Sequence, residues 1–207
     1  CYTYREEWQP VQTNKVRISI QGWSVGLFLS ELEVFGKSGG EAPDVDYGNR
    51  ALNAPYAKSE PYTENGVTNY PDTDGRELTD GVVGSDDFRD ASWVGFAGEG
   101  SPRFVQVDLG SPCEISRVSL SYLVDASAGI VAPQSIKASY SADGARFHAF
   151  GEVTNPSTAA GAHTQDIAAD KVTARYIRFD VSHTGWLFIS EVTAYGTEKD
   201  IDPNIPY

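Results

Sequence analysis

The feature that most constrains this chain is the period of its apolar residues. Phe104-Val105-Gln106-Val107-Asp108-Leu109-Gly110 alternates apolar with polar and stops at a glycine, and Ile136-Lys137-Ala138-Ser139-Tyr140 alternates again. Ile115 to Leu123 sets Val118, Leu120 and Tyr122 on one side. Ile177, Phe179 and Val181 alternate with Arg178 and Asp180, and Leu187 to Tyr195 reads as a last strand. Asp143-Gly144 supplies residues that tolerate positive φ in a tight hairpin, with Arg146-Phe147-His148-Ala149-Phe150 as the returning strand. Successive side chains of a strand point to opposite faces, so this period buries one face of each segment. Nowhere does an i, i+3, i+4, i+7 pattern persist over three turns. Twenty Gly and eleven Pro separate the segments. The expectation is an all-β chain with little helix, folded as a β-sandwich.

A repeat sets the domain organisation. Val16-Arg17-Ile18-Ser19-Ile20, a short loop, and Leu27-Phe28-Leu29-Ser30-Glu31-Leu32-Glu33-Val34-Phe35-Gly36 stand near the start. Ile177-Arg178-Phe179-Asp180-Val181, a loop one residue shorter, and Leu187-Phe188-Ile189-Ser190-Glu191-Val192-Thr193-Ala194-Tyr195-Gly196 stand near the end. One ending thus occurs twice. Residues 1–37 are expected to be the strand remnant of a preceding module, 38–46 a linker, 47–197 a complete module, and 198–207 an acidic tail or linker. Two strands alone are marginal. The remnant either completes a sheet with material outside this chain or docks on the second module.

Composition narrows the function. The net charge of −13 repels nucleic acid and anionic lipid, which bind through Lys and Arg. No apolar run reaches the length of a membrane span, so a soluble chain is expected. The chain starts at Cys1 and holds no Met, which suggests a mature or truncated piece. Its two cysteines, Cys1 and Cys113, form no disulfide framework and no metal-ligand spacing, although a single bridge between them stays open. Cys1 is either a cleavage boundary or the lipidated first residue of a lipoprotein.

Leu78-Thr79-Asp80-Gly81, Trp93, Val105 to Gly110, Ser139-Tyr140-Ser141-Ala142-Asp143-Gly144, Ala174-Arg175-Tyr176-Ile177-Arg178 and Phe188-Ile189-Ser190-Glu191-Val192 follow one another in this order. The series resembles the discoidin, or coagulation-factor type C, domain family. Tyr70-Pro71-Asp72-Thr73-Asp74-Gly75-Arg76-Glu77-Leu78-Thr79-Asp80-Gly81 is similar to the bacterial members that serve as carbohydrate-binding modules on secreted glycoside hydrolases. The resemblance implies a jelly-roll sandwich of about eight main antiparallel strands, with ligand-contacting loops at one end.

It also implies one structural calcium ion, held by an acidic loop ahead of Trp93 and by the glutamate of the last strand. Calcium takes several oxygen ligands, carboxylates mixed with carbonyls. Asp80, Asp86 and Glu191 are the expected ligands, with Asp87 and Asp90 as alternatives to Asp86 because this loop is longer than the family's usual spacing. A glutamate buried on a sandwich strand is costly without a partner, which favours the ion. Sugar recognition needs a flat aromatic face and polar groups for the hydroxyls. Trp186, Tyr70, Phe96 and Tyr122 are the expected faces, with His183 and Asp125 as polar neighbours. Trp93 is expected to pack the core below the calcium loop.

Two catalytic motifs are set aside. Gly22-Trp23-Ser24-Val25-Gly26 has the spacing of a nucleophile elbow, yet it is followed by the strand-like Leu27-Phe28-Leu29 where an elbow needs a helix. Glu31 and Glu33 would lie roughly 7 Å apart on one strand face, a glycosidase-like separation. The second copy keeps Glu191 but has Thr193 at the other place. The three His residues, at 148, 163 and 183, have no ligand spacing. The expectation is a non-catalytic module of a larger secreted carbohydrate-active enzyme, extracellular or attached to the cell surface. Its partners would be polysaccharide or cell-surface glycan, and the parent enzyme or a neighbouring discoidin-like module. The alternative is an adhesion or assembly domain for protein or cell-surface partners.

Overall fold

The structure, a computed structural model, describes residues 48–97 and 102–198. These belong to Asp46–Tyr207, the second of two units into which the chain divides. The expected remnant and linker, and all of the expected tail but Glu198, lie outside the described residues, as do Cys1, Glu31, Glu33 and the Gly22 to Gly26 motif.

Among the described residues nine strands follow in chain order: β1 (Tyr56–Lys58), β2 (Thr63–Glu64), β3 (Val67–Thr68), β4 (Val94–Phe96), β5 (Arg103–Val124), β6 (Ser135–Ser141), β7 (His148–Thr154), β8 (Gly161–Ser182) and β9 (Leu187–Glu198). One short 3-10 helix covers Ala126–Ala128. Every strand pairing is antiparallel. The first half of β5 pairs with β1 and with the second half of β8, which continues to β6 and β7. The second half of β5 lies between the first half of β8 and β9, and β9 pairs with β4. Both long strands therefore serve both layers of the sandwich. Val105 and Val107, Val118 and Leu120, Ile177 and Phe179, and Ile189 and Val192 meet in one buried core. Among the described residues no helix is long and apolar enough to cross a membrane.

The alternation ending at Gly110 suggested two separate strands, but β5 runs through it. Gly110 takes φ +79°, its amide donates to Asp108 Oδ1 at 2.9 Å, and the register with β8 shifts between Asp108 and Cys113. A bulge of this kind bends a strand without ending its pairing. The first half of β8 buries little apart from Ile167 and so carries no apolar alternation in the sequence.

A second, smaller core holds Trp93, Leu123, Ile130 and Phe188. Leu123 and Phe188 neighbour main-core residues on their strands and point to the opposite face, so one layer is covered on both sides by packed residues. The loop 78–93 forms much of this cover. Its Trp93 is buried, with the indole N–H donating to Ser85 O at 3.0 Å.

Candidate functional site

The second core opens at one end of the sandwich into partly exposed aromatic rings. The hairpin of β2 and β3 turns at Asn65-Gly66, both at positive φ. Its feet are tied to β4: Tyr62 N donates to Gly95 O at 3.1 Å and Gly95 N to Tyr70 O at 2.9 Å. This brings Tyr62 and Tyr70 onto Trp186, at centroid distances of 5.0 and 5.8 Å and in edge-to-face geometry. Tyr70 also meets Phe188 at 4.6 Å and Phe88 at 6.2 Å. Such aromatic contacts add stability beyond the area that they bury. Tyr70 holds φ +53° immediately before Pro71, a strained conformation for a bulky residue. Gly95 makes room for it, since a Cβ there would stand 2.8 Å from Tyr70 Cβ. Strain of this order survives only where the surroundings enforce it, and it gathers at ligand sites.

Trp186 is seated by the next loop. Its amide donates to Gly129 O at 3.1 Å. Asp125 Oδ1 caps the 3-10 turn below it, accepting from Ser127 N at 3.1 Å, Ser127 Oγ at 2.6 Å and Ala128 N at 3.3 Å. These bonds, the Ser127 side chain first, hold the Asp125 carboxyl below its ordinary range. On the other flank Arg89 lies 4.3 Å over the Phe88 ring and pairs with Asp87 at 3.3 Å.

The structure brings together only part of the expected sugar-binding set. Trp186 and Tyr70 meet edge to face and are both partly exposed. Phe96 is fully buried in the main core, because β4 is covered on both sides, and offers no face to a ligand. Tyr122 is equally buried, with its hydroxyl donating to Ser157 O at 3.0 Å. His183 is buried too, its Nδ1 hydrogen-bonded to Gly185 O at 2.7 Å, and burial pushes its imidazole pKa down. Asp125 acts as a cap. Tyr62 and Phe88 are the rings that meet Trp186 and Tyr70 instead. The Asn65-Gly66 hairpin signal would have put Tyr62 and Tyr70 at its two feet; no pattern marks Phe88.

The acidic loop and Glu191 form a second locus. β9 carries a register irregularity opposite Ser121 and Tyr122, which leaves Glu191 buried under the loop. Val192 N donates to Leu78 O at 2.8 Å, and Gly81 N donates to Glu191 Oε2 at 3.1 Å. Glu191 Oε1 is buried with no hydrogen-bond partner. Burial pushes the Glu191 carboxyl up to about 8, the Gly81 amide opposes, and the nearby Asp80 charge adds to the rise. A buried acceptor left open beside a second carboxylate suits a cation, so Asp80 and Glu191 fit the expected ion. Asp86 does not join them. Its Oδ1 accepts from Ala162 N at 2.8 Å, fastening the loop to the start of β8. Asp90 accepts from Ser85 N and Ser92 N, which holds its carboxyl down at about 2, and Asp87 is paired with Arg89. Among the described residues no three His, Cys, Asp or Glu side chains gather as a metal-holding group. An ion here would rest on two carboxylates plus loop carbonyls and water.

The aromatic end is a platform. Two clefts, of about 470 and 310 Å³, lie elsewhere, the first lined by Lys137, Glu152, Arg178 and Asp180 and the second by Tyr140, Arg146 and His148.

Comparison with known proteins gives the same architecture. The model of the F5/8 type C domain matches residues 58–192. Similar solved structures include chitosan-binding module 1 of a chitosanase/glucanase from Paenibacillus sp. IK-5, 20% identical over 72% of this chain and 99% of that one, with a TM-score of 0.50. A fucose binding module of Streptococcus pneumoniae is 19% identical over 75% of this chain and 99% of that one, with a TM-score of 0.52. A GH29 fucosidase of Ruminococcus gnavus, solved with fucose, is 18% identical over 75% of this chain and 28% of the larger enzyme, with a TM-score of 0.50. At these identities the likeness is one of fold. No curated protein sequence matches significantly.

Proposed function

We propose, for a chain that belongs to the F5/8 type C domain family, that the module of residues 47–197 binds glycan and carries no catalysis of its own. The supporting observation is the partly exposed aromatic platform of Tyr62, Tyr70, Phe88 and Trp186 at one end of the sandwich. The C–H face of a pyranose packs on such rings, and edge polar groups such as Arg89 and Asp87 reach its hydroxyls. A ligand that small gives weak binding, because little apolar area offsets the ordering cost. Weak binding suffices for the role proposed: holding a secreted parent enzyme on polysaccharide or cell-surface glycan raises the local substrate concentration. The likeness in fold to chitosan-binding and fucose-binding modules agrees with this reading. One calcium ion held through Glu191 and Asp80 would brace the loop that carries Phe88.

The test is a glycan array with the full chain, with calcium and again with EDTA, followed by competition with the free monosaccharide. Binding to a narrow set of glycan ends that free sugar displaces is expected. A folded chain that binds no glycan would overturn the proposal and favour the adhesion reading.

A further inference from the structure

The sandwich has a second mouth. β6 begins at Ser135, opposite Ser182 and beside the loop that seats Trp186, and it ends at Ser141. Tyr140, paired with Ile177 on one side and His148 on the other, therefore lies towards the end away from the aromatic platform. A cleft of about 310 Å³ opens there, lined by Tyr140, Ala142, Asp143, Arg146, His148 and Thr173. That is room for one sugar residue.

The cleft is built rather than incidental. The Tyr140 and His148 rings lie 5.6 Å apart, tilted by 35°, and Phe150 supports Tyr140 edge-on at 6.4 Å. The turn between β6 and β7 is locked from within. Ser141 Oγ donates to Asp143 Oδ1 at 3.0 Å and accepts from Gly144 N at 3.0 Å, and Asp143 Oδ1 accepts from Ala145 N at 2.8 Å and Arg146 N at 2.9 Å. Gly144, at φ +75°, lets the turn approach the Tyr176 ring, from which a Cβ there would stand 3.2 Å. Arg146 is thus presented from a fixed backbone.

Like the exposed Arg76, Arg146 makes no ion pair among the described residues. Arg89, Arg117, Arg175 and Arg178 each pair with an aspartate. The Arg146 guanidinium has no carboxylate at ion-pair distance among the described residues, in a chain of net charge −13. A free guanidinium beside two rings selects an anion that also carries a C–H face. The Asp143 carboxylate in the same lining favours a ligand with hydroxyl donors over a bare anion.

We propose that this mouth is a second ligand site, for a single acidic sugar residue, with the Tyr140 and His148 rings as its faces and Arg146 as its anionic anchor. A uronate carboxylate and a sugar sulfate share this chemistry. The site uses nothing at Trp186 and is independent of the platform.

The full chain is titrated calorimetrically at low ionic strength with methyl glucuronide, glucose 6-sulfate, methyl glucoside and inorganic sulfate. One or both acidic sugars should bind, with the neutral glucoside and bare sulfate at least about tenfold weaker. Arg146→Ala and His148→Ala are exposed changes, and each should weaken acidic-sugar binding by about tenfold, while Arg76→Ala, at an exposed arginine outside this lining, leaves it unchanged. Wild-type affinity in both the Arg146 and His148 variants would overturn the proposal. So would an equal loss in the Arg76 variant, sulfate binding as tightly as the sugars, or no binding of either acidic sugar. Loss of neutral-glycan binding at the platform alone would leave it standing.

Discussion

Replacing Glu191 by glutamine tests the acidic locus most directly. Glu191 is 2% exposed, and one of its oxygens has no partner. Its carboxyl is pushed up from 4.5 to about 8, by burial first and by Asp80 as well. Without a cation the native state keeps the proton between those values while the unfolded chain has lost it. The native state is then fully favoured below pH 4.5 and loses stability as pH rises towards 8, by about 1.4 kcal/mol per unit. From pH 5.5 to 7.5 the loss is roughly 3 kcal/mol, or roughly 10 °C in Tm for a domain of this size. Glutamine has no proton to lose, so in EDTA at pH 7.5 Glu191→Gln should melt above the parent, and the gap should close by pH 5. Calcium binds the ionised form, so it should flatten the parent's slope and leave the variant unmoved. Other groups titrate differently. Backbone amides hold Asp90 and Asp143 near 2, below this window. His183, held neutral by burial, loses stability in acid and opposes the Glu191 trend. Taking the variant's melting curve from the parent's removes these contributions. Equal pH slopes for parent and variant in EDTA would refute the reasoning, as would a variant that melts lower at pH 7.5.

Trp186→Ala should lower affinity for the array-selected glycan by about tenfold or more, read by calorimetry, while the far-ultraviolet circular dichroism stays unchanged. Gly95→Ala drives a methyl into Tyr70, so it should destabilise by about 1–3 kcal/mol in urea unfolding and weaken glycan binding together. Trp93→Phe removes the bond to Ser85 O and leaves a void under the loop, at about 1–3 kcal/mol. In EDTA that loss should come with faster hydrogen exchange across residues 79–92.

The strands were legible because period-two alternation is a local property: Ile177, Phe179 and Val181 read as one face whatever packs against them. The repeated ending likewise singled out Glu191 without reference to any neighbour. Alternation names a face but does not say what covers the other one. Phe96 and Tyr122 read as available aromatics, yet both lie under the two-sided packing around β4, β5 and β9. The continuity of β5 depended on the Asp108 to Gly110 turn keeping its partners on β8, a pairing across many residues that no local window contains. The aromatic platform assembled from the hairpin at Tyr62 and Tyr70, the loop at Phe88 and the start of β9, segments that meet only when the sheet closes. Short-range sterics and hydrophobic period therefore settled the class of fold and one buried glutamate. The choice of which rings face water was made by long-range packing, which decides burial residue by residue.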